Sequence, residues 1–164
     1  NGAVFANQLG TYYDIWTLRD QKYCKNDFWA DAMKFLIKNK NSSDQISREM
    51  LIEAKKRILD KKIFSFDPSM SPILVESAFG GFGIYKMKNV LNNVNKYKGT
   101  QSIKVISKDE KKTHLKYQKC EHVNFNQGLV EQNLNLYILP YLLNRGYDKQ
   151  FFRPEIAIHF IIKN

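Results

Sequence analysis

The run Glu76-Ser77-Ala78-Phe79-Gly80-Gly81-Phe82-Gly83-Ile84-Tyr85-Lys86 constrains the fold more than any other segment. Its glycines, Gly80, Gly81 and Gly83, make a continuous helix costly, because glycine loses the most backbone freedom on ordering. The apolar triplet Ile73-Leu74-Val75 just ahead reads as a buried strand. Pro68 and Pro72 keep the stretch before it extended or turned, since proline disfavours helix at the residue it follows. The segment therefore predicts a strand that delivers a tight bend. Without Cβ atoms, the amides of such a bend are open to close approach by another group. A plain turn between strands explains the glycines equally well. The spacing is neither that of a P-loop, which needs Gly-Lys-Ser/Thr, nor the Gly-x-Gly-x-x-Gly of a dinucleotide fold.

Around this bend the pattern alternates between helical and strand-like. A short strand or loop is expected at Ala3-Val4-Phe5. Asn26 or Asp27 can cap a helix whose apolar positions Phe28, Trp29, Ala32, Phe35 and Leu36 recur at helical spacing. A second helix is predicted over residues 44–60, with Ile46, Met50, Leu51, Ala54 and Ile58 on one face. Residues 90–99 read as a loop with a short helical turn, 103–106 as a strand, and 108–112 as a charged hairpin-like tip. Residues 121–131 fit helix or loop, and 134–139 and 156–162 fit strands. Interleaved helices and strands place the chain in the α/β or α+β class.

Size and charge narrow the partners. With 164 residues, 43% of them hydrophobic, the chain can bury a core without disulfides or metal. Cys24 and Cys120 are too few for a disulfide scaffold and read as reduced, half-buried thiols. No apolar run reaches the roughly 20 residues that span a bilayer. No basic region followed by an apolar stretch opens the chain, which fits a cytoplasmic location. The net charge of +10 favours polyanions or phosphorylated small molecules. Its densest runs, Lys55-Lys56-Arg57 and Lys61-Lys62, sit on or beside the second helix and read as a solvated face. A basic nucleic-acid-binding module is thus the weaker alternative.

Several side chains could carry chemistry. Glu121-His122 supplies a carboxylate and an imidazole, the groups most used for proton transfer and metal ligation. A polar pair at a helix start explains it without catalysis. A Cys120–His122 dyad is conceivable, but its geometry depends on whether the segment is strand or helix. His114 and His159 lie far from His122 in sequence, which disfavours a locally built zinc site. Tyr12, Tyr13, Trp16, Phe28 and Trp29 read as core more readily than as a stacking platform. Asp14 and Arg19 stand out among them, since each charge must be solvated, paired or bound.

In order, Tyr12-Tyr13-Asp14-Ile15-Trp16-Thr17-Leu18-Arg19, Ser77-Ala78-Phe79-Gly80-Gly81-Phe82-Gly83-Ile84-Tyr85-Lys86 and Cys120-Glu121-His122-Val123 resemble blocks of nucleotide-sugar glycosyltransferases with the glycosyltransferase-A fold. Thr17 stands where that group has alanine; Asn7-Gln8, and Leu136 to Pro140 with Asn144, are also similar. The likeness covers most of residues 4–145. It implies an α/β fold, a partial glycosyltransferase-A-like mixed sheet flanked by helices. It implies transfer of a sugar from a nucleotide-sugar donor to a glycan or other hydroxyl acceptor, with Mn²⁺ or Mg²⁺. Glu121 is then the catalytic carboxylate and His122 a metal or diphosphate contact. Asp14, Arg19, Ser77, Phe79, Gly80, Gly81 and Gly83 would line the donor or acceptor site. The metal-holding Asp-x-Asp of the group is absent from the sequence. Residues 1–164 are therefore expected to form one domain or fragment, the acceptor-side portion of a longer enzyme. A non-catalytic interaction domain derived from that fold is the alternative.

Overall fold

The computed structural model describes residues 1–41, 44–60, 64–95 and 97–145. It is a mixed α/β structure whose four-stranded sheet is built from β1 (Ala3–Gln8), β2 (Ile73–Val75), β3 (Gly83–Tyr85) and β6 (Leu136–Asn144) in the order β2-β6-β1-β3. β1 runs parallel to β6, while β3 and β2 join antiparallel at the two edges. The central pair carries the core: Phe5, Leu136 and Ile138 are fully buried. Pro140 also lies inside β6, where it has no N–H for the ladder. The register shifts there, between Ala6 and Asn7, and Asn7 Nδ2 donates to the Pro140 and Phe66 carbonyls at 2.9 and 2.8 Å. The Asn7 side chain thus takes up backbone acceptors that the irregular ladder leaves open.

α1 (Phe28–Lys38) forms as its spacing predicts, and Asp27 is the cap. Its Oδ1 accepts from the Trp29 and Ala30 amides at 3.0 and 3.1 Å, a contribution of about 1 kcal/mol. Phe28, Trp29, Met33 and Leu36 turn into the core; burial of each such side chain contributes roughly 1.5–3 kcal/mol. The second helix starts later than expected. α2 spans Arg48–Ala54, capped by the Ser47 hydroxyl on the Met50 amide, and widens into a π-helical turn over Lys55–Leu59. A hydroxyl that can satisfy an open helix amide sets the start more firmly than hydrophobic spacing does. On its exposed side Arg57 pairs with Glu53 at 2.6 Å.

The aromatic segment is core. Tyr12, Tyr23, Phe64 and Phe66 pack with ring centroids 5.0–6.0 Å apart. Trp16 is exposed, and Tyr13 and Tyr23 are half-buried. Both cysteines are free and fully buried, deeper than expected. β2 differs from its expected burial: only Val75 is buried, and Leu74 is 59% exposed because the strand is an edge. α3 (Met87–Leu91) supplies the short helical turn before the loop, slightly earlier than predicted. β4 (Thr100–Ile106) and β5 (Lys112–Gln118) form a separate two-stranded ribbon through the charged tip. β3 and β5 were not legible as strands. α4 (Glu121–Val130) resolves the helix-or-loop ambiguity. No helix among the described residues is long and apolar enough to cross a membrane. The strand expected at 156–162, with His159, lies outside the described residues.

Candidate functional site

The glycine bend is a two-residue turn. Gly80 and Gly81 have φ of 62° and 78°, and the Phe82 amide closes onto the Phe79 carbonyl at 3.1 Å. Positive φ at both central positions is the type I′ geometry that glycine accepts most readily. The bend sits tightly on β1. A Cβ at Gly80 would lie 2.2 Å from the Ala6 carbonyl oxygen, and one at Gly81 would lie 2.6 Å from Asn144 Nδ2.

Side chains from distant segments hold this turn. Asp14 Oδ2 accepts from the Gly80 amide at 3.0 Å, and Asn144 Nδ2 donates to the Gly80 carbonyl at 3.1 Å. The Gly80 amide, expected to face a ligand, is thus engaged by Asp14. Ser77 is buried, and its Oγ accepts from Asn126 Nδ2 at 3.0 Å. Asn126 also donates to the Ala78 carbonyl at 3.1 Å and accepts from the Tyr85 hydroxyl at 3.0 Å. This fully buried amide pins α4 to the bend and so fixes where Glu121 stands.

Thr17 links the bend to the start of α4. Its Oγ1 donates to Asp14 Oδ1 at 2.9 Å and lies 3.2 Å from Cys120 Sγ. The alanine of the resembling enzymes could make neither contact. Burial raises the Asp14 carboxyl above its ordinary range, against the hydrogen bonds from Thr17 and Gly80. Burial likewise pushes the Cys120 thiol up, so the neutral, weakly nucleophilic form is favoured. With Sγ 3.9 Å from His122 Nδ1, the Cys120–His122 pair lacks the contact of an activated dyad.

Glu121 opens α4, half-exposed, with Oε1 3.7 Å from His122 Nδ1. The His122 ring lies 4.5 Å from the Phe79 ring and 5.3 Å from Tyr97, whose ring stacks on Phe125 at 4.7 Å. Asp14, Ser77, Phe79, Gly80, Gly81, Glu121 and His122 therefore meet around the bend and the first turn of α4. Arg19 does not present its charge there. It is buried and paired with Asp27 at 2.8 Å, and it donates to the Leu18 and Trp16 carbonyls. Its backbone, though, bridges to Ser77. Gly83 sits in β3 opposite Phe5, where a Cβ would come within 3.0 Å of the Phe5 ring. Its role in the structure is sheet packing.

The donor atoms of Cys120, Glu121 and His122 lie within 4.8 Å of one another. That set is one carboxylate, one imidazole and one buried thiol. Mg²⁺ asks for near-octahedral oxygen ligation and Mn²⁺ prefers oxygen donors, so this cluster by itself does not fit either ion. Tyr97 carried no sequence signal, and Thr17 was legible only as a departure from alanine. Comparison with family models, with curated proteins and with solved structures returned no match to this chain.

Proposed function

We propose that the chain is the acceptor-side part of a glycosyltransferase-A-like enzyme that moves a sugar from a nucleotide-sugar donor to a hydroxyl of a glycan. The observation that carries this reading is the meeting of Asp14, the glycine bend and the start of α4, through the Asp14–Gly80 bond and the contact of Phe79 with His122, the neighbour of Glu121. Those three segments are the ones in which the resemblance lies.

The chemistry asked of Glu121 is general-base catalysis. In an inverting transfer the acceptor oxygen bonds to the anomeric carbon while the bond to the diphosphate oxygen breaks. The hydroxyl proton passes to Glu121, and the bonding pair leaves with the diphosphate. A half-exposed carboxylate at a helix start can meet an incoming hydroxyl, whereas both Asp14 oxygens are already engaged, by Gly80 and Thr17. Asp14 is a positioning residue that fixes the bend. Phe79 and Tyr97 offer ring faces against which a sugar can pack.

The test measures nucleoside diphosphate release by the full-length enzyme from a panel of nucleotide sugars, with Mn²⁺, Mg²⁺ or chelator present. Glu121→Gln keeps shape and removes the base, and should lower turnover by about 10²–10⁴-fold with little change in KM. Unchanged turnover in this variant removes Glu121 from the mechanism. Release that is equal in all three buffers dismisses the metal requirement that the resemblance implies.

A further inference from the structure

One cleft outside the bend is lined wholly by groups that hold anions and hydroxyls. It has a volume of about 360 Å³ and lies between the start of β4 and the first turn of α4. Lys98, Thr100, Gln101, Ser102, Lys119 and Asn124 line it, without a carboxylate among them. Neither lysine has a carboxylate within ion-pair distance among the described residues. The Lys119 amide bonds to the Gly99 carbonyl at 2.9 Å, which sets Lys119 beside the Lys98-Gly99 step. A Cβ at Gly99 would meet only the Lys119 carbonyl, at 3.8 Å, so the glycine leaves space there. Burial, with the charges of Arg19 and Lys98, makes the Lys119 proton easier to lose than usual, although Asp27 on its other side acts to hold it. Two like charges facing one open cleft, with no acid in its lining, are relieved by a bound anion.

We propose that this cleft binds the phosphate of a phosphorylated saccharide, with the phosphate between Lys98 and Lys119 and sugar hydroxyls against Thr100, Gln101 and Ser102. A phosphate monoester carries close to two negative charges at neutral pH and several acceptor oxygens, matching two ammonium groups and neighbouring hydroxyls. The volume falls in the range of small-molecule sites and leaves room beyond the phosphate for a sugar ring. Lys119 immediately precedes Cys120, and Asn124 stands one helical turn after Glu121. A sugar anchored here therefore lies near the proposed base, and the cleft selects a phosphorylated acceptor. That acceptor role rests on the glycosyltransferase reading; the anion site does not.

Calorimetric titration of the full chain with hexose 6-phosphates, the parent hexoses and inorganic phosphate tests the assignment. At least one hexose 6-phosphate should bind tenfold or more tightly than both its hexose and inorganic phosphate. Lys98→Ala/Lys119→Ala should weaken that binding by at least tenfold, and Lys88→Ala, on α3, should leave it unchanged. Equal affinity for inorganic phosphate, binding that ignores the double variant, or no binding of any hexose phosphate overturns the proposal. Donor turnover is measured in parallel on the full-length enzyme. Sugar-phosphate binding without turnover leaves the cleft standing and discards the transferase; turnover without such binding does the reverse.

Discussion

The glycine bend and the tip of the β4–β5 ribbon both reverse the chain, yet side chains fix one and mainly local closure fixes the other. The bend depends on Asp14, Asn144 and Asn126, side chains 66, 64 and 48 residues from their backbone partners. The tip is closed by neighbours, and the Lys108 amide, 3.0 Å from the Lys40 carbonyl, ties it to the residues just after α1. The Ser107 amide meets the Lys111 carbonyl at 3.0 Å, Ser107 Oγ meets the same carbonyl at 3.0 Å, and the Glu110 amide closes onto Ser107 at 3.0 Å. A locally closed turn can form before the rest of the fold and tolerates change. A turn closed by distant side chains has its geometry only when the whole sheet and α4 are in place. That second kind of construction suits a site whose atoms must stay in register with one another.

The largest expected effect tests this contrast at a shared dihedral. Gly80 and Glu110 both have φ of 62°. At Gly80 an added Cβ meets the Ala6 carbonyl in the central strand, which cannot step aside. Gly80→Ala should therefore cost roughly 2–6 kcal/mol, overpacking plus left-handed strain, read as a lower denaturation midpoint. A loss below 1 kcal/mol would show that β1 yields and that the bend is looser than its contacts imply.

Asp14 gives an intermediate effect with a pH signature. Asp14→Ala removes the acceptor for the Gly80 amide and the Thr17 hydroxyl, a loss of about 1–3 kcal/mol. Asp14→Asn keeps an acceptor and removes the charge, so it should cost less. Because burial raises the folded-state carboxyl, the folded protein holds this proton more tightly than the unfolded chain does. The stability tied to it is fully present below the unfolded carboxylate range, near pH 4, and fades as pH rises through the higher folded value. Thermal denaturation across that window should show a decline in the wild type that Asp14→Asn lacks. Parallel profiles would mean that the carboxyl titrates in the folded protein as it does in the unfolded chain.

What the sequence disclosed follows the same division. Local signals read well: the Asp27 cap, the spacing of α1, the bend and the charged tip were all visible. The strands β3 and β5, and the edge position of β2, were not. Ile84 is exposed in a three-residue strand that pairs, among the described residues, with β1 alone, and nothing in its neighbours announces that pairing. The convergence of Asp14, Gly80 and Glu121 could be guessed only through resemblance, since contacts across such separations leave no periodic trace. Arg19 shows the converse. Its charge drew attention as a binding group, but its partner Asp27 was eight residues away and already visible as a helix cap. A buried charge next to a candidate cap is more economically read as a brace.

The smallest expected effect lies at the ribbon tip and runs in the opposite direction to Gly80→Ala. Glu110 holds a left-handed backbone that costs a residue with a Cβ about 1–2 kcal/mol relative to glycine. Its side chain is exposed and forms no part of the turn's closure, so little contact is lost on removing it. Glycine, however, gains freedom in the unfolded chain, which returns roughly half of the relief. Glu110→Gly should thus raise stability by up to about 1 kcal/mol, a small increase in denaturation midpoint with no change in donor turnover or sugar-phosphate binding. The same dihedral would then gain a little from glycine at one turn and depend on it at the other. A loss of stability in this variant would instead mean that Glu110 supports the tip through its side chain, and the ribbon would no longer be the tolerant member of the pair.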